Sequence, residues 1–157
     1  MLSLKTFFGT GLAAALALAL GIAAAAAPAR AGIEVTAVTA RAPIIEGRPG
    51  VAYFTIKNTG DKADRLLSVQ SPVIGRIELH ESIMGPGNMA SMKPVKSLEI
   101  PAHGEMVFKP GSYHAMLFNI SKQALEKPAP LIFTFENAGK ITVEATIAPA
   151  GEMMHMH

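Results

Sequence analysis

Cysteine is absent from the 157-residue chain, and the side chains best suited to chemistry are five histidines and nine methionines. Their spacing is uneven. His80 is followed by Met84, Met89 and Met92, His114 lies two residues before Met116, and Met153-Met154-His155-Met156-His157 ends the sequence. Thioether sulfur binds zinc, calcium or magnesium weakly, but together with imidazole it suits Cu(I), a soft ion that does not require thiolate. Side chains two apart on a strand point the same way, so His114 and Met116 can present nitrogen and sulfur to one ion. Alone, a His-x-Met triplet is more often a core methionine beside a surface histidine. Here it has company: eleven residues separate His80 from Met92, twenty-one separate Met92 from His114, and one separates His114 from Met116.

The missing cysteine removes several chemistries together: thiol nucleophiles, zinc-cysteine clusters, and the thiolate that blue-copper electron carriers need. No Ser/His/Asp order with a nucleophile elbow, no carboxylate pair and no phosphate-cradling glycine loop stands out, so an enzyme is not expected. His103 falls in a turn and reads as a solvated histidine. Met106 alternates with Val107 like a core residue, and Met84 reads as an apolar cover over the site. Asp64 and Arg65 read as a structural charge pair.

Elements must hold these groups, and the first thirty-one residues are not among them. Residues 1–31 carry Lys5, an apolar stretch from Phe7 to Ala27, and Ala29-Arg30-Ala31, the pattern of a cleaved secretory signal peptide. Residues 32–149 are expected to form one domain working outside the cytoplasm, in the periplasm of a Gram-negative cell, with no stable membrane insertion after cleavage. Residues 150–157 are expected to be a flexible Met/His-rich tail. From residue 32 onward twelve basic side chains meet twelve acidic ones, which argues against a nucleic-acid-binding surface.

Within the domain, short segments alternate apolar and polar residues with the two-residue period of half-buried strands. Ile33, Val35 and Ala37 are expected on one face of the first, and Ala52, Phe54 and Ile56 on one face of the second. Further strands are expected over 65–69, 75–80, 95–100, 105–108 and 113–120, with His80 closing its strand and a loop containing Gly85-Pro86-Gly87 after it. Segments 131–135 and 140–147 flank Asn137-Ala138-Gly139 as a hairpin. About eight close-spaced strands indicate an all-β sandwich or Greek-key barrel. His114 and Met116 are expected on an exposed edge of it.

Several stretches resemble the periplasmic Cu(A) chaperone, or PCuAC-like, copper-binding family. They are Ala40-Arg41, Ala52-Tyr53-Phe54 leading to Asn58, Ala63-Asp64-Arg65-Leu66-Leu67, Glu78-Leu79-His80, Met92-Lys93-Pro94-Val95, Pro110 to Leu117, and Leu131 to Glu136. The resemblance implies a cupredoxin-like β fold that binds Cu(I) through two histidines and two methionines, which match His80, Met92, His114 and Met116. One departure matters: the family usually has ten residues between its first His and its Met, and this chain has eleven, so Met89 is the alternative to Met92.

The resemblance further implies a periplasmic copper chaperone that delivers Cu(I) to the Cu(A) centre of cytochrome c oxidase subunit II, with a Sco-type thioredoxin-like protein as a second partner. A copper buffer serving resistance, without specific delivery, is the alternative. An electron-transfer cupredoxin conflicts with the missing Cys, and a plain adhesion sandwich leaves the His/Met placement unexplained. The tail residues Met153, Met154, His155, Met156 and His157 are secondary ligand candidates, able to recruit Cu(I) or to supply imidazole to Cu(II).

Overall fold

The computed structural model describes residues 32–151. The expected signal peptide, and all of the expected tail but Ala150 and Gly151, lie outside the described residues. No helix among the described residues is long and apolar enough to cross a membrane.

The described residues form eleven strands, most of them alternating buried and exposed positions: β1 (Ile33–Arg41), β2 (Gly50–Asn58), β3 (Asp64–Gln70), β4 (Ile74–Met84), β5 (Ala90–Pro94), β6 (Leu98–Ile100), β7 (Glu105–Val107), β8 (Tyr113–Ile120), β9 (Ala129–Phe135), β10 (Gly139–Ala145) and β11 (Ile147–Ala148). One short helix, α1 (Lys122–Glu126), precedes β9, and the Ser121 hydroxyl caps it by accepting the Ala124 N–H. The strands form two sheets. The larger runs β11-β1-β2-β8-β4-β5 with β7 also paired to β2, and the smaller runs β10-β9-β3-β6. The all-β class read from the sequence is the observed one.

The core lies where the sheets pack together. Phe54 of β2 stacks on Phe108 with centroids 4.1 Å apart and meets Phe133 of β9 edge-on at 4.9 Å, which ties the larger sheet to the smaller. Ile56, Leu66, Ile100, Leu117 and Leu131 are fully buried around them. Burying each such side chain contributes about 1.5–3 kcal/mol, so packing can hold this fold without disulfides.

Four local expectations are corrected. Ala37 does not face the core: its φ is 51° at a bulge between Thr36 and Thr39, which shifts the alternation so that Ala40 is the buried residue. The segment after His80 is no loop, because β4 runs on to Met84 and returns as β5 through a 3-10 turn at Pro86–Asn88. Segment 140–147 divides at Thr146. Up to Ala145 it pairs with β9, and from Ile147 it pairs in parallel with β1 of the other sheet. Asp64 does not pair with the Arg65 guanidinium. Its carboxylate accepts the backbone N–H groups of Arg65, Asn137 and Ala138 at 2.7, 2.9 and 2.9 Å, clamping the β9–β10 turn, while Arg65 reaches Glu99 and Glu136.

The site depends on how β2 divides its partners. Gly50–Ala52 pairs with Ala115–Leu117 of β8, whereas Thr55–Lys57 pairs with Glu105–Val107 of β7. The chain between β7 and β8 turns back at Lys109–Ser112, where the Ser112 N–H reaches the Lys109 carbonyl at 3.0 Å. Pro110 and Gly111 are the central residues, and Gly111 has φ 78°, the arrangement of a type II turn that needs glycine at that position.

Candidate metal centre

Strands β4 and β8 run antiparallel in a register that sets Arg76 opposite Phe118, Glu78 opposite Met116, and His80 opposite His114. Between these positions Leu79, Ala115 and Leu117 face the core, so the three cross-strand pairs share the other face of the sheet. On β5, Met92 stands opposite Ser82, two residues beyond His80 and therefore on that same face. A cavity of about 320 Å³ opens there, lined by Met92, His114 and Met116 with Tyr53, Ser82 and Gly111 among its other walls. His80 is not on the cavity wall. Its ring stands beside that of His114, with centroids 5.9 Å apart and planes inclined at 46°.

Each imidazole is held through one nitrogen. His114 Nδ1 lies 3.2 Å from the Ser112 carbonyl, and His80 Nε2 lies 3.1 Å from Glu78 Oε2. Both partners are acceptors, so the ring nitrogens facing them carry the protons. The other nitrogen of each neutral ring then keeps its lone pair. Those two atoms, His80 Nδ1 and His114 Nε2, are buried and have no hydrogen-bond partner among the described residues. A buried acceptor without a donor costs about 1–3 kcal/mol, so two in adjacent rings call for an explanation. A metal ion about 2 Å from each donor nitrogen would supply it. Anchoring the far nitrogen on a carboxylate or a carbonyl is also how metal-binding imidazoles are usually oriented.

The type II turn is part of this arrangement, since the Ser112 carbonyl it presents accepts both the His114 ring N–H and the Ser82 backbone N–H. Tyr53 on the cavity wall stays a neutral phenol. Burial raises its pKa above the ordinary tyrosine value, and the Arg41 charge only partly opposes the rise.

The structure thus brings Met92, His114 and Met116 to one cavity, with His80 next to His114. The expectation that His114 and Met116 occupy an exposed edge is corrected. β8 is an interior strand between β2 and β4, and its neighbours leave His114 only 6% exposed. Of the two loop candidates, Met92 is on the cavity wall and 62% exposed, whereas Met89 closes the hairpin turn through its carbonyl to Gly85 N–H and is 73% exposed. Met84 pairs with Ala90 near the hairpin tip and is exposed rather than packed over the site. His103 lies in a turn at φ 54°, with its ring against Asp61. The tail candidates Met153, Met154, His155, Met156 and His157 lie outside the described residues.

Sequence reasoning missed the two groups that fix the rings. Glu78 and Ser112 each precede a histidine by two residues, the spacing that puts side chains on one face of a strand, so Glu78 at least was legible as a neighbour of His80. That Ser112 acts through its carbonyl, no residue pattern shows.

Comparison with known proteins places this architecture. The model of the family described as LpqE-like lipoproteins matches residues 33–147. Among solved structures, the apo PCuAC domain of PmoF2 superposes with a TM-score of 0.62 at 24% identity, covering 78% of this chain and 94% of that one. The Cu(I) form of DR1885 from Deinococcus radiodurans gives a TM-score of 0.55 at 26% identity, covering 83% and 85% respectively. The fold is therefore the cupredoxin-like β fold of PCuAC domains. Uncharacterized protein RP573 of Rickettsia prowazekii (strain Madrid E) is 37% identical over 67 residues, 43% of this chain, and the match spans only 37% of that relative's length.

Proposed function

Since the chain belongs to the LpqE-like family, and its fold is that of PCuAC domains, we propose that it is a non-enzymatic copper chaperone that works outside the cytoplasm and carries Cu(I) on His80, Met92, His114 and Met116. The observation that carries this reading is the pair of buried imidazole lone pairs without donors, beside a cavity walled by two thioethers. Uncharged nitrogen and sulfur together select a soft monovalent ion over calcium, magnesium or zinc. That solved structures of the same fold include a copper-bound PCuAC domain of PmoF2 and a Cu(I) form of DR1885 supports the choice of copper.

The site suits a carrier. Met92 is the exposed member of the set, on a two-stranded projection at the end of the larger sheet, where β5 pairs with β4 alone among the described residues. Neutral ligands leave the bound ion its positive charge, so an incoming ligand from another protein can enter on the Met92 side while both imidazoles still hold the ion. Departure then requires no protonation of a thiolate.

The recipient we propose is the Cu(A) centre of cytochrome c oxidase subunit II, with a Sco-type thioredoxin-like protein assisting, and the compartment the periplasm, reached through a cleaved signal peptide. Anaerobic titration of the protein with Cu(I) against a competing chelator, with copper-edge absorption spectra, tests the binding. One Cu(I) with mixed nitrogen and sulfur ligation is expected; uptake no greater than that of a protein lacking His and Met would refute it. Delivery is tested separately by deletion. Loss of oxidase activity at low copper is the chaperone outcome, and sensitivity confined to high copper is the outcome of a buffer.

A further inference from the structure

Three consecutive residues on one face of β4 are linked by charge. Arg76 Nε lies 2.9 Å from Glu78 Oε1, and Glu78 Oε2 lies 3.1 Å from His80 Nε2, so the two carboxylate oxygens are divided between a guanidinium and an imidazole. Arg76 is itself placed. Its guanidinium sits 4.3 Å from the centroid of the Phe118 ring, which belongs to the residue directly opposite on β8. Glu78 is therefore restrained from one side before His80 is considered.

From this arrangement we infer that Glu78 is a positioning residue: held by Arg76, it keeps the His80 proton on Nε2 and so makes Nδ1 the atom that His80 offers to the ion. The inference rests on the copper reading above for its consequence, though not for its geometry. A carboxylate has no proton to give a neutral ring and can only accept, which fixes the tautomer; the bare Nδ1 is then the buried nitrogen that finds no partner among the described residues. His114 is fixed the opposite way. The Ser112 carbonyl takes its Nδ1 proton and leaves Nε2 bare. The two histidines thus present unlike nitrogens, one near the backbone and one at the ring's far end, from positions directly opposite in the ladder.

Glu78 is part exposed, and Glu78→Gln keeps its size, so the fold should survive the substitution. An amide presents both a donor and an acceptor to His80 Nε2, and the ring is then free to adopt either tautomer. Long-range nitrogen–proton correlation spectra of the apo protein, together with Cu(I) competition titrations, test the inference. In the wild type His80 is expected as a single tautomer protonated at Nε2. In Glu78→Gln the His80 signals should shift toward a mixture while those of His114 stay put, and Cu(I) affinity should fall about 10- to 100-fold, the usual cost of losing an orienting partner. Glu78→Asp should restore the single tautomer in part. A wild-type His80 protonated at Nδ1, or a Glu78→Gln variant with unchanged tautomer and affinity, overturns the inference. A wild type that binds no Cu(I) refutes the copper reading instead, and the apo spectra still decide the tautomer.

Discussion

His80 and His114 are exact register partners across the β4–β8 ladder, with ring centroids 5.9 Å apart and one bare nitrogen each. Neighbouring strands set that spacing, so the chain holds the pair without needing an ion to assemble it. A site of the proposed kind would be prepared before binding, with little ordering cost left for an arriving ion.

Replacing His114 and Met116 together should therefore abolish tight Cu(I) binding. His114 is buried on an interior strand, so the substitution also removes packing, and a loss of roughly 1–3 kcal/mol of stability is expected. Removing a buried nitrogen that lacks a partner offsets part of that loss. Circular dichroism should still report a folded β protein, and chelator competition should report no bound Cu(I). A folded variant with full affinity would sink the site assignment.

Met92 and Met89 are separable by the same titration. Met92 is on the cavity wall and Met89 is in the turn at the hairpin tip. Met92→Leu keeps the apolar bulk and deletes the sulfur, and it should cost about tenfold or more in Cu(I) affinity, ~1.4 kcal/mol. Met89→Leu should leave affinity within error. The reverse result would move the ligand to the turn.

The strands that carry the site were legible because they are half-buried, and half-burial writes a two-residue alternation into Ala52, Phe54 and Ile56 of β2, Ile77 and Leu79 of β4, and Ala115 and Leu117 of β8. Strand β5 was not. Its five residues are all exposed, so Ala90 to Pro94 carries no apolar alternation, and only the hairpin register with β4 makes it a strand. Helix α1 is too short to show a helical period. The chemistry open to the candidate ligands could be read from residue types alone. The burial of His114 could not, because it comes from β2 and β4 flanking β8, a pairing between segments remote in sequence.

Asp64 offers a test of the fold that leaves the site untouched. Asp64 is 4% exposed, and its carboxylate accepts three backbone N–H groups, two of them in the β9–β10 turn. Asp64→Ala strands those donors, and hydrogen bonds to a charged group contribute about 1.5–3 kcal/mol each. Water can reach the turn and replace some of them, so a net loss of about 3 kcal/mol is expected from urea denaturation, with Cu(I) affinity in the remaining folded protein unchanged.

Stability should also fall in alkali. Burial raises the Tyr113 phenol above its ordinary value, and the charge and hydrogen bond of Glu81 add to the rise; Tyr53 is raised as well, mainly by burial. Unfolded tyrosines ionise near pH 10. Above that pH the unfolded chain has released protons that the folded chain still holds, so stability present below pH ~10 declines as the pH rises through the folded-state values. Urea midpoints measured across this range should drop, and Tyr113→Phe should flatten the drop. A midpoint that does not change with pH there would contradict the raised phenols.

Deleting residues 153–157 separates the tail from the cavity. The four candidates His80, Met92, His114 and Met116 belong to β4, β5 and β8, all upstream of Gly151, so loss of the last five residues should leave one tight Cu(I) per chain with unchanged affinity. Cu(II) prefers nitrogen to thioether, and His155 and His157 account for two of the five histidines in the sequence. Cu(II) uptake, or the stoichiometry of weakly held copper, should therefore fall in the truncated protein. If the tight Cu(I) disappears with the tail, the ligands are in the Met/His run and the bare nitrogens of His80 and His114 need another explanation. If uptake of both ions is unchanged, the tail has no part in copper handling.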